Sequence, residues 1–265
     1  MDLNLTGKKA IICAASKGLG LAAATELHRE GCKILICARG ESDLKDATTH
    51  ILQHSGRKEA PMLLAVDLSQ PEKVKEFAEQ ALSLLGGVDI LVNNVGGPQP
   101  SSAESTSHKQ WNQGFDQVFL SATLLTQALI PTMKSQKHGR IITITSLSVL
   151  EPIEHLVVST SMRTAVTTFM KTLSREVAPH GITVNTVMPG VIQTDRIIQL
   201  RKSKAERDGT NLEAELENTR RAIPVGRLGS PQELASLIAF LSSDKAGFIT
   251  GVNIPVDGGM RHSWV

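Results

Sequence analysis

Within the stretch 146–163, Ser146, His155, Ser159 and Arg163 carry side chains suited to proton and oxyanion chemistry. Ser146 follows the apolar run 141–145, which reads as a buried strand, and the stretch leads into a helical pattern over 165–177. A serine at the carboxyl end of a strand, with a second polar group entering from the next helix, is where an open α/β sheet places its chemistry. Ser146 and Arg163 could stabilise a developing oxyanion. As a proton source the set is unusual. Arginine keeps its proton near neutral pH, and the hydroxyl of Ser159 is a far weaker acid than a phenol. The chain contains no tyrosine. His155, four residues before Ser159, has an ordinary pKa suited to the task; the blander reading is an exposed loop histidine. Glu154 and Ser148 are weaker candidates.

The elements that must position these groups begin with an apolar run at 10–14, a turn Ser16-Lys17-Gly18-Leu19-Gly20, a helix over 21–30 and a strand over 34–38. Strand, glycine turn, helix and strand form a βαβ unit that lays a pyrophosphate against a helix N-terminus. An acidic residue at the end of the second strand would bond a ribose 2′-hydroxyl. The chain has Arg39 there, and Lys17 lies in the turn. Two cations converging on that point favour a 2′-phosphate, hence NADP(H) over NAD(H).

Further strands are expected at 62–66, 88–92, 182–185 and 252–256, with helices at 42–55, from Pro71, at 106–133 and at 234–241. Strands alternating with helices at this rhythm require parallel pairing and right-handed crossovers. The expected fold is α/β: a single-domain, Rossmann-like, doubly wound parallel sheet flanked by helices on both faces, spanning 1–265.

The totals agree with that class. The chain has 265 residues, 41% hydrophobic and 20% charged, as in ordinary soluble globular proteins. A net charge of +2 and no basic tract argue against nucleic acid as a partner. Cys13, Cys32 and Cys37 read as reduced core thiols, no apolar stretch is long enough to cross a bilayer, and a cytoplasmic protein is expected. No metal site is expected.

Four signatures in order give the chain a family resemblance: the glycine turn at 14–20, Asn93-Asn94-Val95-Gly96, Pro189-Gly190 with Thr194, and the terminal Asp257-Gly258-Gly259. Together they resemble the short-chain dehydrogenase/reductase family over essentially residues 5–260. The chain looks like a subgroup labelled 3-oxoacyl-acyl-carrier-protein reductase. In that family a serine at the position of Ser146 is followed by a Tyr-x-x-x-Lys pair; here Ser159 and Arg163 stand at those positions. The family's relay asparagine falls on Val118, and its first turn glycine on Ala14.

The resemblance implies that Ala14, Ser16, Lys17, Leu19, Gly20 and Arg39 hold the phosphate end of the dinucleotide. Asp67 and Leu68 would flank the adenine, while Asn93, Asn94, Gly96 and Arg163 would face the ribose side. Pro189, Gly190, Ile192 and Thr194 would hold the nicotinamide amide and phosphate. Residues 194–225 would form a substrate lid, although the charged run 196–221 also reads as a solvated helical pair. A homotetramer or homodimer would form through the helices at 106–133 and 165–177 and the last strand. Two functions are therefore open. One is an NADP(H)-dependent oxidoreductase of a small carbonyl or alcohol substrate with an atypical proton donor. The other is a catalytically silent dinucleotide-binding protein serving as sensor or partner subunit.

Overall fold

The computed structural model describes residues 2–263; of the expected span, residues 1, 264 and 265 lie outside the described residues. The strands are β1 (Lys9–Cys13), β2 (Lys33–Ala38), β3 (Met62–Ala65), β4 (Ile90–Asn93), β5 (Gly139–Ile144), β6 (Ile182–Pro189) and β7 (Asn253–Val256). They pair in parallel in the order β3-β2-β1-β4-β5-β6-β7. The central strands are covered on both faces, which is why they read as unbroken apolar runs rather than alternating ones. One core layer joins the sheet to α1 (Gly18–Arg29), α2 (Glu41–Ser55) and α9 (Pro231–Ser242). The other packs α3 (Pro71–Leu85), α5 (Ser121–Gln136) and α6 (Val157–Val177) on the opposite face. The doubly wound expectation holds. Strand order reverses between β1 and β4, and the crevice above that point is where such sheets take ligands.

Two elements differ from the sequence reading. The single helix expected at 106–133 is a short α4 (His108–Gly114), a π-helical stretch over Phe115–Leu120, and then α5. Its start is fixed by a reciprocal cap, in which Ser107 accepts from the Gln110 N–H and Gln110 accepts from the Ser107 N–H. The helix expected at 165–177 begins eight residues earlier, at Val157. A run of Val, Ser and Thr is a poor helix former by propensity. Packing overrides it: buried Val158 seats directly on Gly114, where any Cβ would overlap its methyl group. The earlier start puts Ser159 and Arg163 on one helix face, a turn apart.

Candidate active site

The loops after β1, β4, β5 and β6 converge at the carboxyl edge of the sheet. After β1, Ala14 takes a left-handed backbone (φ 47), and Gly18 does the same (φ 58). A Cβ on Gly20 would collide with the Ala14 carbonyl, so the turn folds tightly under the amino end of α1. No side chain caps that end; Lys17 stands at the cap position without a capping bond. Free N–H groups and a helix dipole are what a pyrophosphate needs. Ser16 is half-buried, and Leu19 packs against the core. Lys17 and Arg39 are exposed and in no ion pair among the described residues.

At the end of β3, partial burial raises the pKa of Asp67, yet the Ser69 hydroxyl and N–H and the charges of Arg39 and Lys73 outweigh it and hold the carboxyl low. Leu68 packs into the core beneath. The asparagines after β4 divide their work. Asn93 is buried and donates to Thr126 at 2.9 Å and to Thr143 at 3.5 Å, so its amide faces the core. Asn94 donates to the Ala14 carbonyl at 3.4 Å, joining the β4 loop to the glycine turn. Gly96 is exposed, and its carbonyl accepts from Gln117 at 2.8 Å. After β6, Gly190 packs on Asp257, where a Cβ would stand 2.8 Å from the Asp257 Cβ. Ile192 is buried and bridges to Gly229. Thr194 caps α7 (Asp195–Asp208) through the Ile197 N–H, and its methyl would lie 3.7 Å from a Cβ at Gly18. The β6 segment therefore lies over the glycine turn.

The proton-handling candidates are brought together only in part. Ser146 lies two residues beyond the end of β5, half-buried, with its oxygen accepting from the Ser148 N–H at 3.1 Å. Arg163 points inward from α6 and is 8% exposed. Its Nη1 donates to the carbonyls of Ile144 (3.1 Å) and Thr145 (3.2 Å), its Nη2 to that of Val95 (3.2 Å), and its Nε to the Ser159 hydroxyl (3.3 Å). That uses four of the five guanidinium N–H donors. Burial pulls the Arg163 pKa down to about 10, and the neighbouring Arg196 charge acts in the same direction. Val118 is buried on the π-helical stretch, and a cavity of about 10 Å³ lies among Asn94, Val95, Val118, Thr145 and Arg163. That is about the size of one water. His155 is exposed in a left-handed conformation (φ 59), pinned by its carbonyl to the Ser101 N–H at 2.8 Å. No hydrogen bond links it to Ser146 or Ser159.

The run 194–225 forms α7 and α8 (Leu212–Ala222). The helices are stitched by Glu215, buried at 4% exposure, which pairs with Lys204 at 2.8 Å and accepts from Thr210 at 3.2 Å. Sequence reasoning missed Arg196 as an individual. It lay inside a charged run, and its half-buried position against the loop after β4 has no sequence signature. It also missed Gln117, whose amide holds the Gly96 carbonyl.

Comparisons with known proteins agree with this fold. The family model described as enoyl-(acyl carrier protein) reductase matches residues 13–261. The 3-oxoacyl-acyl-carrier-protein reductase of Escherichia coli is 34% identical over 258 residues, 97% of this chain and 99% of that one. Among solved structures, L-sorbose reductase from Gluconobacter frateurii, complexed with NADPH and L-sorbose, has 31% identity and a TM-score of 0.92, covering 99% of this chain and all of that one. YwfH, an NADPH-dependent reductase of bacilysin biosynthesis, has 29% identity and a TM-score of 0.92, covering 97% of this chain and 100% of that one. The chain belongs to the short-chain dehydrogenase/reductase family.

Proposed function

We propose that this protein is an NADP(H)-dependent oxidoreductase that interconverts a carbonyl and an alcohol on a small-molecule substrate, 3-oxoacyl reductase-like, with Ser159, held by Arg163, passing on a proton from water. The observation that carries the proposal is the hydrogen bond from Arg163 Nε to Ser159 Oγ at 3.3 Å. Support for the cofactor comes from the uncapped amino end of α1, the unpaired Lys17 and Arg39, and the NADPH named with relatives of the same fold. NADPH, when bound, supplies a hydride.

The chain's own residues then handle the oxygen. Ser146 Oγ has its lone pair engaged by the Ser148 N–H, which leaves its O–H to donate to the substrate oxygen. Ser159 passes a proton to that oxygen as charge develops and takes one from water, while Arg163, still charged, holds the Ser159 hydroxyl through Nε. A serine hydroxyl alone is too weak an acid for this. The positive charge that Arg163 keeps stabilises the charge developing on the Ser159 and substrate oxygens. The proton comes from solvent, so the sum is one hydride and one proton added to the carbonyl.

The second reading, a silent dinucleotide-binding protein, is favoured by one feature: three backbone carbonyls hold the Arg163 guanidinium, which a purely structural role explains. NADPH oxidation over a panel of ketones, quinones and 3-oxoacyl thioesters separates the two. Turnover that falls about 10²-fold or more in Ser159→Ala supports the enzyme. NADPH binding without oxidation of any panel member supports the silent protein.

The same proposal includes a homotetramer or homodimer. A groove of about 290 Å³ between α5 and α6 presents Ile130, Pro131, Phe169 and Val177, and Phe248 just ahead of β7 is fully exposed. Light scattering reads the mass. We also place 194–225 as the substrate lid and the protein in the cytoplasm. The latter is supported by three free, buried thiols; among the described residues no helix is long and apolar enough to cross a membrane.

A further inference from the structure

Arg196, the second residue of α7, lies across the loop that follows β4. A Cβ on Gly97 would meet its Nη2 at 3.3 Å, and that nitrogen donates to the Pro98 carbonyl at 3.0 Å. Arg163 reaches the same loop from α6, donating to Val95 at 3.2 Å. Two guanidiniums are thus held on carbonyls of one short loop, 95–98, at the carboxyl edge of the sheet. Most other arginines close to a carboxylate pair with it, as Arg140 does with Asp244 and Arg227 with Glu233. Among the described residues, no carboxylate forms an ion pair with Arg163 or Arg196. Even Asp195, the chain neighbour of Arg196, is exposed and turned to no cation.

The two arginines differ in what they have left to give. Arg163 has one N–H donor free, whereas Arg196 makes a single hydrogen bond and is half-buried. A buried cation and a half-buried one on the same loop repel, and each loses hydration; burial first and the Arg196 charge second lower the pKa of Arg163, and burial lowers that of Arg196 itself. An anion placed against Arg196 would relieve both effects, and a carboxylate matches the planar fork of a guanidinium. Thr194, two residues earlier, lies over the glycine turn, so Arg196 sits where the dinucleotide segment meets the lid.

We propose that Arg196, with Arg163 behind it, binds a carboxylate carried by the substrate, making the substrate class oxo acids and their hydroxy-acid partners rather than neutral ketones. This rests on the carbonyl-reducing site proposed above. It makes Arg196 a specificity-determining residue, and the lid helix closes on the acid through it.

The test is a binding measurement on NADP⁺-loaded protein, which has no hydride to transfer. Pyruvate, acetoacetate and levulinate are each titrated by calorimetry beside their methyl esters. At least one acid is expected to bind about tenfold or more tighter than its ester, as a charge-assisted hydrogen bond implies. Arg196→Gln should bring that acid to within about twofold of its ester, Arg196→Lys should keep part of the preference, and neither should change NADP⁺ affinity. Equal affinities for every acid and ester overturn the proposal. So does Arg196→Gln weakening NADP⁺ itself, since the anion would then be the cofactor's pyrophosphate. Protein that binds no NADP⁺ overturns the dinucleotide reading and this proposal together, whereas protein that binds NADP⁺ without preferring acids overturns this one alone.

Discussion

Arg163 donates through Nε to the hydroxyl of Ser159, one turn earlier on the same helix, while its other nitrogens hold carbonyls of two neighbouring strand ends. The guanidinium therefore has a structural task as well as a chemical one. Arg163→Met would leave the carbonyls of Ile144, Thr145 and Val95 without this donor. Buried acceptors left unpaired cost about 1–3 kcal/mol each, and partial relaxation brings the expected loss to about 2–4 kcal/mol. Urea unfolding reads this directly. Arg163→Lys should lose less, because an ammonium can still reach one or two of the acceptors.

Cofactor choice is assigned to Arg39 and Lys17. Both are exposed and unpaired, and Arg39 also stabilises the charged form of Asp67. Arg39→Asp should weaken NADPH by about tenfold or more while leaving NADH unchanged or tighter. Fluorescence titration of each nucleotide checks it. Equal losses for the two nucleotides would assign Arg39 to something other than the 2′-phosphate.

A buried histidine far from the site sets an acid limit on stability. His28 of α1 is 2% exposed; its Nε2 is 2.8 Å from the Glu59 carbonyl and its Nδ1 is 2.8 Å from the Ser55 hydroxyl. A carbonyl only accepts, so Nε2 carries the hydrogen, and in the neutral ring Nδ1 accepts from Ser55. Burial lowers the His28 pKa from 6.5; the Glu59 carbonyl opposes this, and the Arg57 charge adds to it. Its folded pKa is depressed, so the unfolded chain binds the proton more readily. The contribution of neutral His28 is full above about pH 6.5 and is lost as pH falls through the lower folded value. Urea midpoints should drop between pH 7 and 5, and His28→Gln should flatten that part of the profile.

The glycine turn carries a strained residue. Ala14 sits at φ 47, where an L-residue costs roughly 1–2 kcal/mol. Glycine removes that strain but adds about 0.4–1 kcal/mol of unfolded-chain entropy. Ala14→Gly should therefore raise stability by up to about 1.6 kcal/mol in urea unfolding. Gly20→Ala should do the reverse, because its Cβ would strike the Ala14 carbonyl.

The parallel sheet was legible because doubly covered strands leave unbroken apolar runs and because the turns between them carry distinctive residues. The start of α6 was not. Val157, Val158 and Ser159 read as a loop until Gly114 is seen to accept Val158 from a helix far away in sequence. The π-helical stretch at Phe115–Leu120 was hidden for a related reason: a widened turn has no compositional mark. At the site, the family resemblance singled out Ser159 and Arg163 but not where the guanidinium points, which depends on carbonyls at the end of β5 and in the loop after β4. Arg196 was indistinguishable from its charged neighbours until the fold set it against Gly97 and Pro98.

The central claim is that Ser159, held and charge-stabilised by Arg163, delivers the proton that other members take from tyrosine. Single-turnover oxidation of bound NADPH by a saturating activated ketone, compared among Ser159→Ala, Ser159→Thr and His155→Ala, tests it most directly. The account predicts a fall of about 10²-fold or more for Ser159→Ala, retention in Ser159→Thr, and no change for His155→Ala, with NADPH affinity constant throughout. An unchanged rate in Ser159→Ala, or a loss confined to His155→Ala, would contradict it.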